Sequence, residues 1–90
     1  MLVKYFADIR TLSRREQQQL DRAPPTVREL LRELSDRHGE PFRRRVFEGD
    51  GLSSTLIVFV NGQNVEHLRG VETALGAEDV VAIFPMIAGG

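Results

Sequence analysis

Residues 55–62 have the sequence TLIVFVNG, a nearly unbroken apolar run that ends in an Asn-Gly pair. A short run of β-branched and aromatic residues predicts a strand, and Asn-Gly is the strongest short-range signal for a tight hairpin turn. We therefore predict a buried strand over Thr55 to Val60, followed by a turn and a short strand at Asn64-Val65. A second apolar run, Val80 to Phe84, predicts another strand.

Before the apolar run at residues 55–60, residues 24–39 have the pattern of one amphipathic helix. Pro24-Pro25 precede it, Thr26 is a suitable N-cap, Glu29 completes a capping box, and Gly39 provides the stop. Four apolar residues recur at i, i+3, i+4 and i+7, which places them on one face. They are Val27, Leu30, Leu31 and Leu34. We expect this helix to pack against a sheet.

The remaining segments give weaker patterns. Leu2 to Ala7 predicts a strand, the polar stretch Asp8 to Arg15 predicts a turn, and Glu16 to Leu20 predicts the second arm of a hairpin. Residues Glu40 to Ser54 hold Pro and Gly among charges and predict a long loop, with room for a short turn of helix near Phe42 to Phe47.

The predicted order is strand, strand, helix, strand, short strand, strand, with a turn of helix around Val71 to Leu75 before the last strand. This order predicts an α+β fold of the β-grasp (ubiquitin-like) type, with one main helix packed on one face of a mixed sheet of four to five strands. Ninety residues suit one domain, residues 1–90, and we expect an exposed tail over about residues 86–90.

Composition excludes several classes of function. The net charge of −1 argues against an electrostatic nucleic-acid or membrane binder. No apolar run approaches the roughly 18 residues of a membrane span, so a cytoplasmic protein is expected. The absence of cysteine excludes disulfides, thiolate metal sites and a cysteine nucleophile. Without a phosphate-binding loop, a metal-ligand cluster or a nucleophile-base pair, we expect a substrate or carrier that binds no cofactor itself.

The carboxyl-terminal residues are the most informative part of the chain for function. Residues 80–90 carry no charged side chain and end in MIAGG. Pro85 cannot donate to a sheet ladder, so strand pairing is expected to end about there. The apolar residues 86–88 suggest a tail that enters a partner, and Gly89 and Gly90, which lack side chains, suit a narrow channel.

The reactive group of such a tail is the α-carboxylate of Gly90. A carboxylate is ionised at neutral pH and is a poor electrophile, so it needs activation, most simply as an acyl-adenylate formed from ATP. We expect another enzyme to perform that step.

An apolar surface is predicted as well, because both long apolar runs have apolar residues on both faces while the main helix covers only one. We expect Val58, Val60, Ala82 and Phe84, or their neighbours if the register is shifted by one, to form a patch for a protein partner. The alternative is that residues 40–54 fold over that face.

Several motifs carry a family likeness: Tyr5-Phe6-Ala7 with Ile9-Arg10, Val60-Asn61-Gly62, VVAIFP at residues 80–85, and Ala88-Gly89-Gly90. Together they resemble the MoaD-type sulfur carriers, the small subunit of molybdopterin synthase in the ubiquitin-like sulfur-carrier family. The most specific element is Phe84-Pro85 followed three residues later by Ala88-Gly89-Gly90. One departure is Met86-Ile87, where that family commonly has proline and valine.

The resemblance implies a β-grasp fold and a reaction cycle. A MoeB/ThiF-like activating enzyme would adenylate Gly90, which would then become a thiocarboxylate, with Gly89 giving access. The tail would insert into a MoaE-like large subunit that passes the sulfur to a pterin precursor. The resemblance also places Phe84 on the partner-facing surface. Together with the tail and the apolar surface described above, the predicted partner-binding residues are Phe84, Pro85, Met86, Ile87, Ala88, Val58 and Val60.

Three alternatives remain open at this point. Related carriers supply sulfur to thiamine, cysteine or tRNA. A ubiquitin-like modifier would instead join Gly90 to lysines of target proteins, and an interaction domain would not react at all. Two further groups have ordinary explanations, since Arg43-Arg44-Arg45 is typical of a solvated loop and His38 of a helix C-terminal cap.

Overall fold

The two strands predicted from the apolar runs at residues 55–60 and 80–84 pair with each other in the computed structural model, which describes residues 1–86. In chain order the elements are β1 (Leu2–Tyr5), α1 (Ala7–Ser13), β2 (Gln17–Gln19), α2 (Val27–His38), α3 (Glu40–Val46), β3 (Phe47–Glu48), β4 (Gly51–Leu52), β5 (Leu56–Val60), β6 (Gln63–Asn64), two 3₁₀ turns (Val65–His67 and Gly70–Glu72) and β7 (Val80–Pro85).

Five strands form one sheet in the order β2-β1-β7-β5-β6. β1 and β7 are parallel and the other neighbours are antiparallel, so the sheet is mixed. The helices pack on one face and share a single hydrophobic core with the strands. The predicted β-grasp fold is confirmed.

Helix α2 matches its prediction. The hydroxyl of Thr26 accepts the backbone N–H of Glu29 at 3.3 Å, which satisfies one of the amides left free at a helix start. Gly39 ends the helix with φ +98°, a conformation that favours glycine, and its N–H donates to the Ser35 carbonyl at 2.9 Å. All four predicted apolar residues of this helix are fully buried.

The predicted turn at Asp8 to Arg15 is wrong, because those residues form α1. This helix has no side-chain N-cap, and its only buried residues are Ile9 and Ser13. A short, mostly polar helix that buries so few side chains gives no apolar periodicity in the sequence. It ends at Arg14, whose φ of +63° is the left-handed conformation.

The predicted loop over Glu40 to Ser54 is wrong in most of its length, although the short turn of helix expected near Phe42 to Phe47 is confirmed. It contains α3 and the small β3-β4 hairpin. Pro41 lies in the first turn of α3, where its missing N–H breaks no helical bond. Phe42 and Val46 are fully buried in the core that α2 covers. The segment therefore extends the helical layer, and the alternative that it covers the opposite face of the sheet is wrong.

Strand pairing continues slightly beyond its predicted end. Pro85 lies opposite Leu56, and the N–H of Met86 donates to the Thr55 carbonyl at 2.9 Å. On the other side of β7, pairing ends where Tyr5 faces Ile83. Pro85 lies beyond that point, so its missing N–H removes no bond to β1.

Two short elements lie close to their predicted positions. The short strand predicted at Asn64-Val65 lies one residue earlier, and the turn predicted at Val71 to Leu75 is the 3₁₀ turn at Gly70–Glu72.

Candidate functional site

Alternation along the strands decides which side chains reach the open face of the sheet. Leu56, Val58 and Val60 of β5 point into the core, while Ile57 and Phe59 are half-buried on the opposite side. The same alternation in β7 buries Val81 and Ile83 and leaves Val80, Ala82 and Phe84 half-buried. Because successive side chains of a strand point to opposite faces, the half-buried set shares one face.

Three aromatic rings meet on this face. The ring centroids of Phe59 and Phe84 are 5.1 Å apart, and those of Phe6 and Phe84 are 5.9 Å apart at an angle of 86°. Such edge-to-face arrangements are favourable and hold the rings in place. Phe6 is 39% exposed and supplies its ring from the junction between β1 and α1.

Two of these rings, those of Phe6 and Phe84, border a shallow hollow of about 480 Å³. We call the surface the apolar patch and define it by Phe6, Ala7, Ile57, Phe59, Ala82, Phe84 and Pro85. Contiguous exposed apolar surface of this kind usually marks an interaction site in a folded protein. The chain's only lysine, Lys4, lies opposite Ala82 on the same face.

The predicted site residues divide into three groups. Phe84 and Pro85 lie in the apolar patch, and Met86 follows them with 45% of its surface exposed. Val58 and Val60 were predicted to face a partner, and that is wrong because they are 0% and 6% exposed within the core. Their neighbours Ile57 and Phe59 take the outer positions, which is the one-residue shift in register that the sequence left open.

The remaining predicted residues, Ile87, Ala88, Gly89 and Gly90, lie outside the described residues, and their roles stay predictions. Sequence reasoning also missed Phe6 and Ala7 as part of the patch. Their signal was present in the Tyr5-Phe6-Ala7 motif, but only the turn of the chain into α1 brings Phe6 beside Phe84.

A buried polar cluster lies on the other face, beneath the end of α2. The hydroxyl of Tyr5 donates to Gln18 Oε1 at 2.8 Å and lies 3.1 Å from His38 Nε2. Burial raises the pKa of Tyr5, and nearby Arg15 and Arg37 oppose that change. Burial is also the main cause that lowers the pKa of His38, with Arg15 and Arg37 lowering it further. His38 lies in the last turn of α2, as predicted, but its imidazole forms a hydrogen bond with the Tyr5 hydroxyl and does not cap the helix.

The arginine run of α3 has a structural explanation for two of its three members. Arg43 pairs with Asp36 at 2.6 Å, and Arg45 pairs with Asp8 at 2.6 Å and donates to Thr55 Oγ1 at 3.1 Å. These contacts tie α3 to α2, to α1 and to the start of β5.

Two other kinds of feature, a metal site and a membrane-spanning helix, are absent from residues 1–86. No group of three or more His, Asp or Glu side chains in this range is arranged to hold a metal ion. No helix in the same range has the length and apolar character needed to cross a membrane.

Comparison with known proteins identifies the family. The family model described as the ThiS family matches residues 3–90. The chain belongs to the ThiS family. Over 72 residues it is 35% identical to a candidate sulfur carrier protein of Archaeoglobus fulgidus, a match that spans 80% of this chain and 82% of the relative.

Two solved structures extend the comparison of this ThiS-family chain to nearly its full length. Small archaeal modifier protein 1 of Methanosarcina acetivorans superposes with a TM-score of 0.82 at 31% identity, covering 99% of this chain and 94% of that one. A candidate molybdopterin converting factor subunit 1 of Pyrococcus furiosus superposes with a TM-score of 0.75 at 33% identity, covering 96% and 95%. The chain is therefore similar both to a candidate sulfur carrier protein and to a small archaeal modifier protein.

Proposed function

We propose that this protein is a sulfur carrier that holds sulfur as a thiocarboxylate on Gly90. The observation that supports this most strongly is the uncharged segment of residues 80–90, which leads from a sheet bearing an exposed apolar patch to a terminal Gly-Gly. Membership of the ThiS family supports the same function.

The proposed reaction has two steps. In the first, a carboxylate oxygen of Gly90 attacks the α-phosphate of ATP, which forms an acyl-adenylate and releases pyrophosphate. In the second, a sulfur nucleophile at the oxidation level of sulfide attacks the acyl carbon, which breaks the acyl-phosphate bond, releases AMP and leaves the thiocarboxylate. The carrier itself supplies the carboxyl group, and ATP binds to the activating enzyme.

In this proposal the apolar patch docks on the activating enzyme, a MoeB/ThiF-like protein, and the tail reaches into its active site. Aromatic side chains such as Phe6, Phe59 and Phe84 suit this role, because large apolar rings supply much of the binding energy in protein interfaces. The ATP requirement fits a cytoplasmic location.

For the destination of the sulfur we propose molybdopterin biosynthesis, with a MoaE-like large subunit as acceptor. The 33% identity to the molybdopterin converting factor subunit of Pyrococcus furiosus supports it. Copurification from native extract tests it, since recovery of a large synthase subunit is expected. Recovery of a different sulfur-accepting enzyme, such as one for thiamine, cysteine or tRNA thiolation, would contradict it.

A second candidate function is protein modification through Gly90. The likeness to small archaeal modifier protein 1 favours it, at 31% identity over almost the whole chain. Both functions need adenylation and differ in the acceptor, which is sulfur in one and a lysine amine in the other. Adducts of high mass that contain this chain, found by immunoblot of cell extract and lost on deletion of Gly90, would support modification.

Intact-protein mass spectrometry tests the primary proposal. Wild-type protein is incubated with ATP, an activating enzyme and a sulfur donor, and we expect a mass gain that corresponds to one oxygen replaced by sulfur. Deletion of Gly90 shortens the reach of the tail by about 3.5 Å and is expected to abolish the gain. Arg44→Gln, a change at an exposed side chain of α3, is the control and should behave as wild type.

The proposal is wrong if wild-type protein shows no mass gain with an activating enzyme that is competent on another carrier. The same conclusion follows if the gain persists in the protein that lacks Gly90.

A further inference from the structure

A basic cleft lies between the C-terminal ends of α1 and α2, on a part of the surface that the apolar patch does not include. Its volume is about 360 Å³. It is lined by Thr11, Leu12, Ser13, Arg14, Arg37, His38 and Pro41. Two helices thus contribute guanidinium groups to one concavity, and none of the lining residues is acidic.

The positive charge of this basic cleft is not balanced by nearby carboxylates. Within residues 1–86, no carboxylate oxygen lies within 4.0 Å of the charged groups of Arg14, Arg15 or Arg37. This contrasts with six other arginines of the same range, which do form ion pairs.

Three acidic residues of the neighbouring segments pair with other arginines. Asp36 and Glu40 both pair with Arg43, at 2.6 Å and 3.2 Å, and Glu16 pairs with Arg10 at 3.4 Å. They are therefore poorly placed to neutralise the cleft. The result is a local concentration of positive charge in a chain whose net charge is −1.

The same positive charge acts on two titratable groups, His38 in the wall of the cleft and Tyr5 beside it. Arg15 and Arg37 lower the pKa of His38 and oppose the rise in the pKa of Tyr5. Both effects mean that these arginines hold a positive potential at the ends of α1 and α2. A bound anion would reduce that potential.

We propose that the basic cleft is a binding site for a phosphate-type oxyanion. The guanidinium of arginine presents N–H groups in a planar fork that matches the oxygens of phosphate. Here Arg37 belongs to α2 and Arg14 directly follows α1, and Thr11, which has a hydroxyl group, is also part of the lining. The side chains of Leu12 and Pro41 form the apolar part of the wall.

Local structure keeps the basic cleft in shape. Arg14 is the residue that ends α1, and its N–H donates to the Arg10 carbonyl at 2.8 Å. His38 is held by Tyr5, and Phe42 packs against the His38 ring with centroids 5.0 Å apart. A concave arrangement with donors from two elements favours a compact anion with several oxygens over the extended acidic segment of a protein. Free phosphate, pyrophosphate and the phosphates of a nucleotide share this chemistry.

Nuclear magnetic resonance titration of the ¹⁵N-labelled protein tests the proposal, with sodium chloride at equal ionic strength as the reference. Phosphate, pyrophosphate and ATP are added separately, and we expect saturable shifts of amides that surround the cleft. If the phosphates alone are recognised, ATP and pyrophosphate bind alike and the adenine resonances of ATP do not move. Tighter binding of ATP with perturbed adenine resonances would assign the site to a nucleotide, which is still an oxyanion ligand.

Matched variants separate a specific site from general attraction. Arg14→Gln and Arg37→Gln each remove one lining guanidinium, and each is expected to weaken pyrophosphate binding about tenfold. Arg44→Gln removes the same charge at an exposed position outside the cleft and should leave affinity unchanged. The spectrum of each variant also shows directly that the fold is retained.

The pKa of His38 supplies a second readout. If the arginines have only a structural role, an added anion should leave this pKa unchanged. Bound sulfate should raise the pKa of His38, because an anion between the arginines stabilises the imidazolium. Sulfate is chosen because it does not titrate between about pH 5 and 8, where histidine does. The groups facing His38 are Tyr5 from β1, Arg15 after α1, and Arg37 from α2.

Three results would overturn the proposal. One is the absence of saturable shifts with any of the oxyanions. Another is an equal loss of affinity in Arg37→Gln and Arg44→Gln, which would show attraction to net charge alone. The third is binding of a six-glutamate peptide at the cleft while pyrophosphate fails to bind, which would assign the surface to an acidic protein partner.

Discussion

Val58 and Phe59 are adjacent in the chain and have opposite environments. Val58 is fully buried beneath the helices, whereas Phe59 makes an edge-to-face contact with Phe84 on the open face. Both are apolar, so residue type alone does not separate a core position from a docking position. The separation comes from the pleat, which sends one side chain to each face.

Substitution of each by alanine should separate the two roles. We expect Val58→Ala to lower the free energy of unfolding by about 2 kcal/mol, because it removes buried methyl groups and leaves a cavity. Phe59→Ala should cost less, since its ring is half-buried, and should weaken binding to the activating enzyme instead. Urea denaturation and a binding assay measure the two effects. A larger loss of stability in Phe59→Ala would contradict this assignment of faces.

His38 should make stability depend on pH. Its pKa is lowered in the folded protein, first by burial and then by Arg15 and Arg37, so the unfolded chain takes up a proton more readily. The stabilisation that comes from neutral His38 is therefore complete above the unfolded pKa of about 6.5 and is lost as pH falls below that value. Urea denaturation between about pH 7 and pH 5 should show this decline.

The control is His38→Gln, in which the decline over this range should become shallower. Titration of Asp79 should not contribute to the decline in this pH range. Hydrogen bonds from Asn61 and Gly76 lower its pKa from 3.8, so its effect on stability lies at more acidic pH. An identical decline in the variant would show that another group is responsible.

Helices α1 and α2 show how differently two elements of the same layer are encoded. α2 has a side-chain N-cap at Thr26, a glycine end at Gly39 and one continuous apolar face. α1 has none of these and depends on its position between β1 and β2, where Ile9 enters the core. Local signals therefore predict α2 and miss α1, because the stability of a short helix comes from packing.

Loss of the N-cap of α2 should have a modest, measurable cost. Thr26→Ala removes the acceptor for the Glu29 N–H, and we expect the free energy of unfolding to fall by about 1 kcal/mol. Thr26→Ser keeps the hydroxyl and should retain most of the stability. Chemical denaturation of the three proteins checks this, and equal losses in both variants would show that the cap is not the cause.

At the scale of the whole molecule, the two faces of the sheet have separate tasks. The helices cover one face and bury the core, while the other keeps the apolar patch open. β7 is the middle strand of the sheet, so it contributes side chains to both faces, and it leads to the carboxyl-terminal residues. A partner that binds the patch is thus brought close to where β7 ends.

A charge placed in the apolar patch should abolish docking without unfolding the protein. Phe84→Asp is expected to slow formation of the thiocarboxylate at least tenfold at limiting activating enzyme, because a buried, unpaired carboxylate opposes the interface. Leu68→Asp, at an exposed apolar position outside the patch, is the control. Circular dichroism verifies folding, and equal activity of Phe84→Asp and wild type would show that the patch is not the docking surface.

The sequence by itself determined the β-grasp order of elements, the main helix with both of its ends, and the apolar strands at residues 55–60 and 80–84, because each has a strong local pattern. Only the tertiary structure decided which side chains of those strands face the core, since an unbroken apolar run has no polar residue to mark its outer face. The same is true of the full extent of α3, for which the sequence indicated only a short turn of helix, and of the basic cleft. Phe42 and Val46 become core residues, and Arg14 and Arg37 become neighbours, only when segments distant in the chain pack together.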